Sequence, residues 1–328
     1  MVKPRHIKQW RNALVSSVGR VYYYNFWDKQ PADEIWFTGF LKSRGFFEKY
    51  PRAHFAFFST LGDAHLLRID ELLHPFGNNR KRIFFNGENN HHPIFTPYRH
   101  NLLNHRSIDL SLGFDYTNDP RYLRFPLWLL EMFPPQSTTD EIKQICDSLS
   151  HQKLDDTRNR FCALVSGTST WLGTESLEMR TNIVQQLNTI SPIDCAGKLL
   201  HNTDELKERF GDNKAEYLKQ YRFYICPENA SVEGYVTEKV FHCIGSGCIP
   251  IYWGASSNPE PDVLNHDAIL FWNKDGDNTA LLKQIAELEG SPTLYREFFE
   301  QPRLKPDAWQ VVAEYFNNLE KRLNDLFH

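Results

Sequence analysis

Several things are scarce or missing in this 328-residue sequence, and each absence removes a class of protein. No stretch approaches the roughly 18 consecutive apolar residues of a membrane-spanning helix. The basic start Met1-Val2-Lys3-Pro4-Arg5-His6 runs into no uninterrupted apolar segment, so neither a signal peptide nor an anchor is expected. Cysteines number only six, at 146, 162, 195, 226, 243 and 248, with no CxxC pair. That is too sparse for a disulfide scaffold and reads as reduced thiols in a cytoplasmic protein. Neither charge sign dominates: 37 basic residues against 41 acidic ones give a net charge of -4. With no basic stripe, a nucleic-acid partner is not expected. Fixed repeats and low-complexity tracts are absent, which excludes solenoids and propellers. Gly245-Ser246-Gly247 lacks the third glycine of GxGxxG and no GxxxxGK[ST] occurs, so dinucleotide and P-loop readings fail.

What remains is a globular chain rich in rings: 24 Phe, 14 Tyr and 8 Trp reach 14% of the residues. Rings fill cores, and they also stack on sugars. The length suits two domains of about 100–200 residues each. Short β-rich runs occur at His54–Phe58, Arg82–Phe85, Ile108–Leu112, Phe161–Val165, Arg222–Cys226 and Cys248–Trp253. Stretches long enough for helices separate them, the pattern of α/β units. One such helix is expected over Thr174–Ile190. The polar segment from Phe133 to Arg160, with Pro134-Pro135 and Asp155-Asp156, reads as a seam between two α/β halves near residue 150. From Asp307 onward, Trp309, Val312, Tyr315, Phe316, Leu319 and Leu323 recur at three- and four-residue steps and predict an amphipathic helix packing on the body. A membrane-surface role is the alternative for that face.

The chemistry concentrates between Arg222 and Gly254. A strand ends at Pro227, a polar loop follows, and a helix starting near Tyr235 carries Glu238 and Lys239 in its first turn. Such a loop at the carboxyl end of a strand is where open α/β sheets bind ligands, and free N–H groups at a helix N-terminus suit phosphate. An ammonium there is mildly unfavourable by itself, so an anion nearby is expected. Two other signals are weaker. Asp275-Gly276-Asp277 spells a metal-binding DxD but lies in a polar stretch that reads as a turn. The adjacent His91-His92 face different ways and have no third ligand at a convincing spacing. No metal site is expected.

The run Tyr224-Ile225-Cys226-Pro227-Glu228-Asn229, then Tyr235-Val236-Thr237-Glu238-Lys239, then Ile249-Pro250-Ile251-Tyr252-Trp253-Gly254, resembles the signature of the α-1,3-fucosyltransferases, glycosyltransferase family ten, in its bacterial form. A second likeness lies in Phe84-Phe85-Asn86-Gly87-Glu88-Asn89, Leu112–Asp115 and Arg121–Pro126. The resemblance implies a GT-B-like α/β fold with two Rossmann-like domains facing a cleft, and inverting transfer of L-fucose from GDP-fucose to an acceptor oligosaccharide, often at the 3-OH of N-acetylglucosamine. Residues 1–150 would bind the acceptor, 151–306 GDP-fucose, and 307–328 would form the terminal helix. By position, Glu88 matches the family's catalytic base. Arg180 matches the arginine that meets the diphosphate. Asn229, Tyr235, Val236, Glu238 and Lys239 fall at donor-binding positions. The chemistry agrees: the reaction needs one carboxylate to take a proton and cations to balance a leaving diphosphate. Arg180 and Lys239 could do so without an essential metal or other cofactor. The enzyme would be cytoplasmic or peripheral at the inner membrane face. Another nucleotide-sugar transferase on the same scaffold, or a non-catalytic glycan-binding protein, is the alternative reading.

Overall fold

The computed structural model describes residues 17–26, 31–60, 67, 70–71, 79–96, 105–154, 158–168 and 174–328. The basic start and the Asp155-Asp156 part of the expected seam lie outside the described residues. Two compact units divide the chain: Met1–Thr138 together with Ala313–His328, and Thr139–Val312.

The first unit is built on a six-stranded sheet in the order β1-β2-β3-β4-β5-β6. Its strands are β1 Ser17–Val18, β2 Val21–Tyr24, β3 His54–Phe58, β4 Arg80–Phe85, β5 Leu110–Gly113 and β6 Tyr122–Arg124. Only β1 and β2 pair antiparallel; the others pair parallel. A parallel sheet covered on both faces demands apolar residues at successive positions rather than alternation. Accordingly Phe55, Ala56, Phe57 and Phe58 are all fully buried. On one face Phe57 stacks on Phe37, centroids 4.8 Å apart, and on the other Phe58 stacks on Tyr24 at 4.7 Å. Much of the aromatic content is therefore core. From Ala313 the last helix, Ala308–Asp325, belongs to this unit. Its Phe316 meets the rings of Trp36, Phe40, Phe125 and Phe133, so the apolar face packs on the body as its periodicity predicts.

The second unit holds a five-stranded, all-parallel sheet. Its strands β7 Arg160–Leu164, β8 Ile193–Cys195, β9 Tyr221–Ile225, β10 Ile249–Tyr252 and β11 Leu270–Phe271 are ordered β11-β10-β9-β7-β8. The chain steps from β7 to β8 on one side, then returns past β7 to lay down β9 on the other. The strand order therefore reverses between β7 and β9. The helix between β7 and β8, Glu175–Leu187, buries Met179, Ile183, Val184 and Leu187 against the sheet. This unit begins at Thr139, earlier than the seam expected near residue 150. The physical reason is the helix Thr139–Ser150: it buries Ile142, Cys146 and Leu149 and packs on the helix Glu238–Gly245, so it belongs to the second core. All six cysteines are unpaired and buried. Among the described residues, no helix is long and apolar enough to cross a membrane.

Candidate active site

In an open α/β sheet, neighbouring strands whose connections leave in opposite directions part at their carboxyl ends and leave a crevice. The second unit has that reversal between β7 and β9. A cavity of about 190 Å³ lies there, walled by Leu164–Gly167 after β7 and by Tyr224–Pro227 at the end of β9. Arg180, Lys214, Asn229, Glu238 and Lys239 complete the wall. Four of the six residues expected at a donor site are thus brought together.

Arg180 stands on the helix Glu175–Leu187. Its guanidinium donates to the carbonyls of Pro227 (3.3 Å) and Glu228 (3.4 Å) and to Asn229 Oδ1 (3.1 Å). Burial pulls its pKa below the ordinary arginine value, yet an arginine so shifted stays charged at neutral pH. Lys239 stands in the first turn of the helix Glu238–Gly245, its side chain 20% exposed. Burial works against its charge, but the carboxylates of Glu228 and Glu238 outweigh it and hold the ammonium above its ordinary pKa. Glu238 is held below its ordinary value although burial opposes this, because Lys239 and other cations favour the carboxylate.

Three details differ from the sequence-based expectations. The helix starts at Glu238, with Thr237 as its extended N-cap at φ -108°, rather than near Tyr235. Tyr235 and Val236 precede it in a loop, each 1% exposed, and their side chains lie outside the cavity wall. The anion beside Lys239 is internal: Glu228, fully buried, accepts from Thr237 N–H (2.8 Å), Thr237 Oγ1 (2.6 Å) and Lys239 Nζ (3.1 Å). Sequence reasoning also missed Lys214, which follows the N-cap Asn213 of the short helix Lys214–Leu218 and places its ammonium 5.1 Å from the Tyr224 ring. An N-cap ahead of a lysine is too common a signal to have found it.

In the first unit, Glu88 lies just past β4, half-buried in a loop stiffened by its neighbours. Asn86 Oδ1 accepts from the Glu88 N–H (3.1 Å) and the Thr60 hydroxyl (3.0 Å), while its amide donates to the Glu88 carbonyl (3.1 Å) and to Asn90. Gly87 sits tightly against Leu127: a Cβ there would lie 2.9 Å from Leu127 Cδ2. Nearby in sequence, His91 Nε2 pairs with Asp115 at 2.5 Å, and Asp115 also accepts from the Tyr122 hydroxyl. His92 instead caps the turn Pro93–Phe95. Asp277 is taken up by a turn, accepting from the N–H (2.8 Å) and hydroxyl (2.5 Å) of Thr279, as the polar stretch predicts.

Comparison with known proteins adds an independent line. A model described as the C-terminal part of glycosyltransferase family 10 (fucosyltransferase) matches residues 156–319, and an α-(1,3)-fucosyltransferase FucT N-terminal domain model matches 21–131. An α-(1,3)-fucosyltransferase of Helicobacter pylori is 32% identical over 213 residues, covering 58% of this chain and 41% of that protein. The chain thus spans about two fifths of that relative. A crystal structure of an α1,3-fucosyltransferase superposes with a TM-score of 0.58 at 20% identity, covering 97% of both chains. One solved with GDP-fucose gives 0.53 at 19%, covering 95% of this chain and 97% of that one. These structures share the GT-B fold, which the two α/β units here match. With half its length matched by the family's C-terminal model and much of the remainder by the N-terminal one, the chain belongs to glycosyltransferase family 10, the fucosyltransferases.

Proposed function

We propose that this chain is a GDP-fucose-dependent α-1,3-fucosyltransferase that moves L-fucose, with inversion, to a hydroxyl of an acceptor glycan. The 3-OH of N-acetylglucosamine in N-acetyllactosamine-type chains is the first acceptor in question. The observation that carries the reading is the cavity at the β7/β9 reversal, where Arg180, Lys214 and Lys239 converge within one wall. Three cations against the two carboxylates Glu228 and Glu238 leave one surplus positive charge, suited to a diphosphate. Arg180 offers a planar fork and Lys239 a point charge. Glu238 can accept ribose hydroxyls, and Asn229 adds an amide at the rim.

As the acceptor oxygen attacks the anomeric carbon, the bond from that carbon to the diphosphate breaks, and GDP departs with the electron pair. The proton of the attacking hydroxyl passes to Glu88, whose backbone is fixed by Asn86. Cations already in place stabilise charge developing on the leaving group without reorganising. In this reading the first unit receives the acceptor, the second binds the donor, no divalent metal is essential, and the enzyme is cytoplasmic. The test is incubation with GDP-fucose and a panel of N-acetyllactosamine, type-1, Lewis-type and glucose-terminated acceptors, with the product's anomeric configuration read by NMR. Inverted fucoside is expected on at least one acceptor. Retained configuration, or no transfer to any acceptor by protein that binds GDP, would overturn the proposal.

A further inference from the structure

The buried carboxylate of Glu228 stands out because it enters the proposed chemistry only as a charge to be balanced, although its two oxygens accept four hydrogen bonds. It is fully buried at the end of β9. One oxygen accepts from the Thr237 N–H at 2.8 Å and from the Tyr252 hydroxyl at 3.5 Å. The other accepts from the Thr237 hydroxyl at 2.6 Å and from Lys239 Nζ at 3.1 Å. Lys239 in turn donates to Thr237 Oγ1 at 2.8 Å. The fold makes room for this arrangement: at Gly254, with φ +147°, a Cβ would lie 2.7 Å from Glu228 Cγ. A buried carboxylate costs free energy unless it is paired and fully hydrogen-bonded. Here one carboxylate oxygen is tied to Lys239 twice, directly and through the Thr237 hydroxyl, which itself accepts from the ammonium.

Resting on the donor-site reading above, we propose that Glu228 is a positioning residue for donor binding: with Thr237 it fixes the Lys239 ammonium at the cavity and keeps it charged, while touching no substrate itself. The N–H of the N-cap Thr237 is already taken by this internal carboxylate. A diphosphate would therefore meet the lysine and Arg180 rather than that N–H. Glu228 is also excluded as a general base, since its lone pairs are committed to four donors.

The charge on Lys239 gives a readout that a purely structural role would not move. The groups facing it are Arg180, Tyr224, Glu228, Glu238 and His242, and Lys214 shares the cavity wall. Of these, Glu228 is the foremost group favouring the ammonium, while burial opposes it. Glu228→Gln keeps an acceptor for Thr237 but removes the charge, so Lys239 should lose its proton at lower pH.

The experiment is calorimetric titration of GDP from pH 7 to 10, with thermal unfolding in parallel, on wild type, Glu228→Gln, Thr237→Val and Thr237→Ser. Glu228→Gln should bind GDP about ten-fold more weakly or worse at pH 7, with the alkaline fall in affinity moved to lower pH. Thr237→Val, which removes the hydroxyl between the two charges, should also weaken binding, and Thr237→Ser should restore it. If Glu228→Gln does not fold, the Thr237 pair decides. A lower melting temperature with GDP affinity and pH profile unchanged would overturn the inference and leave Glu228 a structural residue. Wild-type protein that does not bind GDP would overturn the donor-site reading and the inference together.

Discussion

Replacing Arg180 with alanine removes the only guanidinium that the described residues place in the cavity wall. A hydrogen bond to a charged group contributes about 1.5–3 kcal/mol. At about 1.4 kcal/mol per factor of ten, GDP affinity should fall roughly 10- to 150-fold. The same side chain ties the loop after β9 through Pro227 O, Glu228 O and Asn229 Oδ1 at 3.1–3.4 Å. Those bonds are long, so the stability cost should stay within about 1–3 kcal/mol, and the variant should fold. Arg180→Lys keeps a charge but lacks the fork that serves loop and ligand at once, and should fall between wild type and alanine. Titration calorimetry with GDP and with guanosine separates the causes, because guanosine carries no phosphate. GDP should weaken while guanosine binds wild type and variant alike. Unchanged GDP affinity in folded Arg180→Ala would refute Arg180 as a phosphate ligand, and an equal loss for guanosine would show that the pocket had merely collapsed.

Stability of the first unit should depend on Asp70, fully buried and accepting from Tyr24 (3.0 Å), Arg80 and Arg82 (2.7 Å). Asp70→Asn takes the carboxylate away from the buried Arg80 and from Arg82 and should cost about 3–5 kcal/mol, read by denaturant unfolding at neutral pH. Burial raises the Asp70 pKa, but Arg80 and Arg82 outweigh it and the net shift is downward. Its contribution is therefore present above about pH 3.9, the ordinary value, and is lost as pH falls through the lowered folded value. The gap between wild type and Asp70→Asn should be constant from pH 5 to 8 and close in stronger acid. Chelation should leave GDP affinity intact; loss with EDTA and recovery with Mn²⁺ would recast Asp275 and Asp277 as ligands. Gly254→Ala should lower both the melting temperature and GDP affinity, since its Cβ drives into Glu228; an unchanged protein would show that the site tolerates that shift.

Strands with several consecutive bulky residues were legible in the sequence: His54–Phe58, Arg80–Phe85 and Tyr221–Ile225 emerge where the β-rich runs lie. Of the missed strands, Ile193-Asp194-Cys195, Tyr122-Leu123-Arg124 and Leu270-Phe271 are short or carry polar residues, whereas Val21-Tyr22-Tyr23-Tyr24 is bulky throughout and was still not singled out. Pairing with longer neighbours, a long-range effect, fixes them as strands. Glu238 and Lys239 were legible because the loop and helix N-terminus follow directly on β9; Arg180, on the helix Glu175–Leu187, and Asn229 were expected only from the family resemblance. Tyr235 and Val236 mimic the start of a helical stripe, yet burial in the preceding loop satisfies the same apolar side chains. Glu228 was named in the motif but not understood, because its partners Thr237, Lys239 and Tyr252 lie 9 to 24 residues away and meet it only in the fold. Gly87 answers to Leu127, forty positions on, which no local rule could supply.

The central claim is a division of labour, with the base on the loop after β4 in one unit and the donor cavity in the other. Glu88→Gln tests it most directly, since the change keeps the shape of the side chain and removes its basicity. The measurement is the fucosyl-transfer rate at saturating GDP-fucose, beside GDP affinity and melting temperature on the same preparation. General-base catalysis contributes about 10²–10⁴-fold, so the rate should fall by that factor while GDP affinity and melting temperature stay near wild type. Near-normal transfer by the folded variant would contradict the claim and place the base elsewhere, and a loss of rate that came with a loss of folding would leave Glu88 only a structural part.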